Sequence, residues 1–211
     1  KQMLDAYLEA ESLAHFVPLW TRWSPGFVAA KRLVDGGVVG EVKAVVYRWH
    51  NPRPAGMALT WRDDPNLSSA GTIADVGSHA YDVVRWILGR DAKRVLAHAD
   101  VITPSKIDLG EVNLAEALDC DEQGVAGKSS RKGRTVDYAS IAWEFEGGAV
   151  GTLILSHATY LRRGLAPELE FHGTEASLAV DRFHGRVTIA RPDASVEVVE
   201  EVPAGGYDLG N

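Results

Sequence analysis

The spacing of apolar and polar positions divides the chain into a helical first part and a strand-rich second part. From Asp75 onward, winding at roughly 100° per residue puts Val76, Ala80, Val83 and Ile87 on one stripe. Asp75, His79, Asp82 and Trp86 fall on a second stripe, about a quarter-turn away. The pattern predicts an α-helix that buries the first stripe and stacks Asp75 and His79 one turn apart on the second. It closes at Gly89, where a glycine cap belongs. Upstream, Met3, Leu4, Tyr7, Leu8 and Glu11 predict a helix over 1–12, and the short apolar run Ala14 to Trp20 suits a strand. Ser24-Pro25 is a helix start. Phe27, Ala30, Leu33 and Val34 form its apolar face, and Asp35-Gly36-Gly37 ends it. Val42 to Trp49 reads as a strand, and His50 to Asp64 as a proline-punctuated loop. Arg94 to Ile102 is a strand, and Thr103 to Val136 is long, polar and poor in pattern. Val136 to Phe145 and Val150 to His157 flank a hairpin turn at Glu146 to Ala149. Strands at Leu169 to His172, Ser177 to Val180, Arg186 to Ala190 and Val196 to Val202 follow at short spacing. Helices before residue 90 and strands in hairpin order after it predict an α+β fold: one largely antiparallel, open-faced sheet with helices on one face.

The candidate chemistry lies at the start of the central helix. The dipole favours a carboxylate there, and a carboxylate beside an imidazole fixes its tautomer and readies it to take a proton. A bare Asp-x-x-x-His is more often a capping acid and a surface histidine. In the loop before it, Trp61 and Arg62 pair an indole face with a guanidinium fork, which suits a sugar-like ligand; a loop pinned by a buried tryptophan is an equal reading. His157 and Tyr160, at a strand end, are candidate pocket residues, with core or surface the commoner place for each.

The stretch Trp61 to Gly89, WRDDPNLSSAGTIADVGSHAYDVVRWILG, resembles the signature of the glucose–fructose oxidoreductase / inositol dehydrogenase / MocA family. Asp75, Gly77, Ser78, His79, Asp82, Arg85, Trp86 and Gly89 match it, whereas Ser69 and Ala70 stand where glycines are common. His15 to Phe27 resembles a second family stretch through Arg22, Ser24 and Pro25, with Trp20 in place of a small polar residue. Gly147-Gly148 and ELEFHGTEASLAV again look like the family's substrate domain. The resemblance implies the glyceraldehyde-3-phosphate-dehydrogenase-like C-terminal domain of a two-domain oxidoreductase, with residues 1–211 as a single substrate and oligomerisation domain. Residues 1–12 would be the last helix of, or the linker from, a nucleotide-binding domain that the chain lacks. It implies NAD or NADP as cofactor, bound mainly by that absent N-terminal Rossmann domain, which in the family also leads to a catalytic lysine. It implies hydride transfer at a CH–OH group of a sugar, cyclitol or derivative. Asp75 and His79 would be catalytic, with His79 as general acid and base and Asp75 orienting it. The candidate substrate-binding residues are Trp20, Arg22, His50, Trp61, Arg62 and Tyr160. A homodimer or homotetramer through the open sheet face is expected. The family also includes a sugar-responsive transcriptional regulator, so the alternative is a non-catalytic sugar-sensing or regulatory protein on the same scaffold; retention of Asp75 and His79 argues against it.

Composition narrows the picture further. A net charge of −7 with no dominant basic block argues against nucleic acid. No apolar run approaches a membrane span, so no membrane partner is expected. A lone cysteine, Cys120, forms no internal disulfide and fits a reducing, cytoplasmic setting. Asp119-Cys120-Asp121-Glu122 lacks a nearby histidine and ligand spacing, so no metal is expected there. Asp35-Gly36-Gly37 is not a phosphate loop, because its glycines follow a helix instead of opening one. Lys128 to Arg134 reads as a solvated loop. Ser78 is not a hydrolase nucleophile for His79, since adjacent helical side chains point roughly 100° apart.

Overall fold

In the computed structural model the described residues are 2–10, 12–14, 19–54, 57–103, 105–110, 112–118 and 128–204. Helix α1 spans Gln2–Glu9, α2 Pro25–Asp35, α3 Ser78–Leu88 and α4 Leu114–Leu118. The strands are β1 Val42–His50, β2 Ala92–Asp100, β3 Lys106–Ile107, β4 Ser130–Arg131, β5 Tyr138–Phe145, β6 Val150–Ser156, β7 Leu169–Gly173, β8 Ser177–Asp181, β9 Arg186–Ala190 and β10 Val196–Glu201. Eight of them form one sheet in the order β10-β9-β8-β7-β1-β6-β5-β2, and β3 pairs with β4 separately. Every pair in the large sheet is antiparallel except β1 with β6. The expected α+β architecture is the observed one.

Alternation along β1 assigns the two faces. Val45, Tyr47 and Trp49 are buried under the helices, while Ala44, Val46, Arg48 and His50 look the other way. Helix α3 lays Ala80, Val83 and Ile87 on the covered face, and Val76 in the turn before it joins them, all at most 6% exposed, as their spacing predicts. Its last turn closes on Gly89, whose φ of 66° is left-handed and whose N–H donates to the Arg85 carbonyl. Helix α2 starts at Pro25 behind Ser24 and packs beside α3.

Three local expectations change. Trp20–Trp23 is a single 3-10 turn, not the end of a strand; residues 15–18 of the expected strand lie outside the described residues, as do Asp119 to Glu122. The segment 103–136 is not structureless: it carries β3, α4 and β4. The central helix is not α-helical throughout, because Ile73–Gly77 near its start is a π-helical turn. Among the described residues no helix is long and apolar enough to cross a membrane.

Candidate active site

The π turn rests directly on the sheet. A Cβ on Gly77 would stand 2.9 Å from Leu155 Cδ1 of β6, so the glycine lets the first turn approach that strand. Gly71, with φ +47°, would put a Cβ 2.0 Å from the Val136 carbonyl oxygen. That oxygen instead accepts the Thr72 N–H at 2.8 Å. These two glycines seat the turn that carries Asp75.

Asp75 is not hydrogen-bonded to His79. Its Oδ2 lies 3.4 Å from His157 Nε2, 3.6 Å from Arg62 Nε and 3.8 Å from Arg53 Nη2. The His79 Nδ1 is buried without a partner. The expected stacked pair is therefore a through-space relationship. The physical reason is the company the carboxylate keeps, with His157, Arg62 and Arg53 all within 3.8 Å of Oδ2. The Asp75 charge still acts on the imidazole. Burial holds the His79 pKa below 6.5, Asp75 and Asp82 oppose that shift, and Arg182 adds to it.

His79 is framed by aromatic rings. Trp20 lies 5.9 Å away and Trp49 6.2 Å away between centroids. Behind Trp49, the buried Arg182 forks Glu168 at 2.7 and 2.5 Å and lies over the Phe27 and Trp49 rings. Beside His79 opens a cleft with a volume of ≈ 490 Å³. Asp75, His79, Trp61, Arg62 and the Ser68-Ser69 turn line it, and the Arg62 guanidinium sits 4.5 Å over the Trp61 ring. Aromatic faces with a few placed polar groups suit a small polyol.

The structure gathers Trp20, Trp61 and Arg62 around Asp75 and His79, and sets the other three candidates elsewhere. Arg22 forks Asp82 through Nε at 2.7 Å, which ties the 3-10 turn to α3. His50 follows Trp49 by one residue and so faces the opposite side of the sheet. There it lines a separate cavity of ≈ 250 Å³ with Arg48, Arg162 and Phe183. Tyr160 is 59% exposed on the loop after β6 and makes no ring contact or hydrogen bond among the described residues. Two site residues escaped the sequence reading, Trp49 and Arg53, while His157, read there as a candidate pocket residue at a strand end, stands beside Asp75. His157 follows β6, so alternation from Leu155 turns it to the covered face beneath Asp75. Its backbone is held at both ends, the N–H donating to Asp137 and the carbonyl accepting Arg53 N–H. Burial first, then the Arg53 charge, lowers its pKa to about 4, so its approach to Asp75 at neutral pH is not an ion pair. No group of three or more His, Cys, Asp or Glu side chains suited to a metal exists among the described residues.

A family model described as GFO/IDH/MocA C-terminal domain matches residues 27–179. The chain belongs to the GFO/IDH/MocA family. Among curated relatives, levoglucosan dehydrogenase of Pseudarthrobacter phenanthrenivorans is 24% identical over 84% of this chain and 44% of its own length. Inositol 2-dehydrogenase of Rhizobium meliloti is 24% identical over 76% of this chain and 39% of its own. The chain thus spans less than half the length of these GFO/IDH/MocA relatives. Among solved structures, a levoglucosan dehydrogenase complex with NADH and L-sorbose superposes with a TM-score of 0.69 at 20% identity, covering 92% of this chain and 48% of that one. The super-repressor mutant of Gal80p from Saccharomyces cerevisiae reaches 0.72 at 13% identity, covering 98% and 50%. Both show the same fold.

Proposed function

We propose that this chain is the substrate-binding and catalytic domain of an NAD(P)-dependent oxidoreductase that acts on a CH–OH group of a sugar, cyclitol or derivative. The observation that carries the reading is His79, a partly buried imidazole kept below its ordinary pKa at the wall of a cleft that Trp61, Arg62 and Asp75 also line. A neutral imidazole at neutral pH is a competent general base. His79 takes the hydroxyl proton in oxidation and returns it in reduction. Asp75 stabilises the imidazolium through space, and Trp61 and Arg62 hold the polyol by ring face and fork. The nicotinamide supplies hydride acceptance. The dinucleotide itself does not fit the described residues, because neither α2 nor α3 follows a strand through a glycine loop that could cradle a pyrophosphate. We place that task in a domain outside residues 1–211, with α1 as its last helix or the linker from it. The names of the relatives support a sugar or cyclitol substrate.

The test uses the intact enzyme, NAD⁺ or NADP⁺, and a polyol panel that includes levoglucosan and myo-inositol. His79→Ala is expected to lower kcat by roughly 10² to 10⁴ and to leave cofactor affinity unchanged. Asp75→Asn removes a charge that raises the His79 pKa, so the acidic limb of the rate profile moves to lower pH. Near-normal turnover by His79→Ala would make the histidine a packing residue. Absence of turnover on every polyol, with tight sugar binding retained, would favour the non-catalytic sensor.

A further inference from the structure

A small polar chamber lies behind Asp75, on the side away from the cleft. Arg53, Arg62, Thr72, Lys106 and His157 line it, together with Asp63 and Asp137. Its charges are almost all committed. Lys106 Nζ holds Asp63 at 2.8 Å, and both oxygens of Asp137 accept backbone N–H groups, from Ile102 and Thr103. What remains is one carboxylate, Asp75, facing two guanidinium groups and one imidazole. The guanidinium groups stop 3.6 and 3.8 Å from Oδ2, beyond hydrogen-bond range, on side chains 29% and 17% exposed. The His157 side chain is 11% exposed, and its Nε2 is fully enclosed, makes no hydrogen bond as it stands, and lies nearest the carboxylate at 3.4 Å.

We propose that His157, rather than His79, is the residue that fixes the Asp75 carboxylate, donating a hydrogen bond from Nε2–H to Oδ2. His157 is then a positioning residue of the active site; this rests on the oxidoreductase reading above. Three features favour it over the arginines. Its backbone is pinned on both sides at the end of β6, so the ring stands on a rigid post, whereas the arginines reach in from loops on flexible stems. The groups facing it are Asp75 from the π turn, Arg53 from the loop after β1, Arg62 from the 3-10 turn at Trp61–Asp63, and Lys106 from β3. Burial first, with Arg53 and then Arg62 and Lys106 set against Asp75, keeps the ring neutral, with a single N–H to place. An unprotonated Nε2 would set lone pair against lone pair at 3.4 Å, so the proton belongs on Nε2. The consequence for chemistry is a division of labour. His157 holds Asp75 from behind and leaves His79 free of any hydrogen bond that would compete for its proton.

Two measurements test this. The first needs no substrate. Long-range ¹H–¹⁵N imidazole spectra of the protein, assigned with His157→Gln, are expected to show His157 as the neutral Nε2–H tautomer at pH 7. In Asp75→Asn that tautomer preference weakens and the titration midpoint of His157 falls further. An Nδ1–H tautomer, or a His157 signal indifferent to Asp75→Asn, overturns the proposal. The second uses any polyol the intact enzyme oxidises. His157→Leu is expected to lower kcat by up to about 10²-fold, the scale of an ångström of misplacement, with the KM for the nicotinamide cofactor unchanged. His157→Gln, which keeps an N–H donor, is expected to recover most of that loss. Full kcat in a folded His157→Leu overturns the positioning role. If the wild-type enzyme oxidises no polyol, the oxidoreductase reading fails, while the spectra still decide whether His157 holds Asp75.

Discussion

Burial together with Arg53, Arg62 and Lys106 keeps the His157 ring neutral down to about pH 4, and that has a cost in acid. In the unfolded chain an ordinary histidine titrates near pH 6.5. Between these values the unfolded state binds a proton that the folded state refuses, so unfolding becomes easier as pH falls. The contribution is fully present above about pH 6.5 and gone near pH 4, with an upper bound of about 3 kcal/mol. His79, also lowered by burial, acts in the same direction. Urea midpoints measured between pH 7 and pH 4.5 should therefore fall, and His157→Gln should flatten the dependence. A wild-type midpoint that stays level over this range would mean that the His157 ring is solvated.

At the scale of elements, the π turn at Ile73–Gly77 depends on Gly71 and Gly77 in different ways. Gly71 combines a left-handed φ with a backbone oxygen where a Cβ would go, so neither side can yield. Gly77 meets only the end of a leucine side chain, although one packed in the core. Gly71→Ala should destabilise by on the order of 3 kcal/mol, and Gly77→Ala by less. Denaturant unfolding of the two variants checks the order, and a Gly71→Ala change below about 1 kcal/mol would mean that the turn is seated differently. The core strands and α2 were legible because their periods of two and 3.6 face a single core, whereas the two-residue strands β3 and β4 are too short to show a period. Asp75 and His79 stood out by motif, and the apolar stripe beside them was legible as spacing. The π turn was not, since a wider winding leaves no mark in the order of residues. Arg53 and His157 are far apart in sequence, and only the parallel register of β1 on β6, with His50 opposite Ser156, brings the chain ends they occupy together. His50 and Trp49 were interchanged as site residues because alternation says that neighbours face opposite ways, but not which of two aromatic-ring residues faces the helices.

For the whole molecule, one sheet face lies under helices and the other is open. Ala44, Val46, Val150, Thr152, Ala142 and Leu96 line a shallow groove of ≈ 580 Å³ on that open face, with Arg94 and Glu144 paired at its margin. Leu96 is 77% exposed and Val150 53%. Apolar surface of this kind rarely stays in water, and we expect it to pair with a second copy, giving a homodimer or homotetramer. Sedimentation at tens of micromolar should show the assembly, and Leu96→Asp should shift it toward monomer; a wild-type monomer would refute the pairing. The proposed division of the site between two domains gives a further expectation. Residues 1–211 alone should bind NADH no tighter than millimolar, and micromolar binding in a nicotinamide-fluorescence titration would place a nucleotide cradle within them.

The single parallel pairing also governs how the chain comes off the ribosome. Strand β1 lies between β6 and β7, so Ala44 finds its partners at Val150 on one side and at His172 on the other. Both emerge long after it, on the order of ten seconds later at usual rates of synthesis. Through that interval β1 carries Val45, Tyr47 and Trp49 with neither edge bonded. The β5–β6 hairpin can close locally, whereas the middle of the sheet waits for distant chain. The same delay applies to the site, because His157 and Arg53 cannot meet until β6 is in place. Nascent chains stalled before β6 should therefore be captured by chaperones far more readily than chains released after β8.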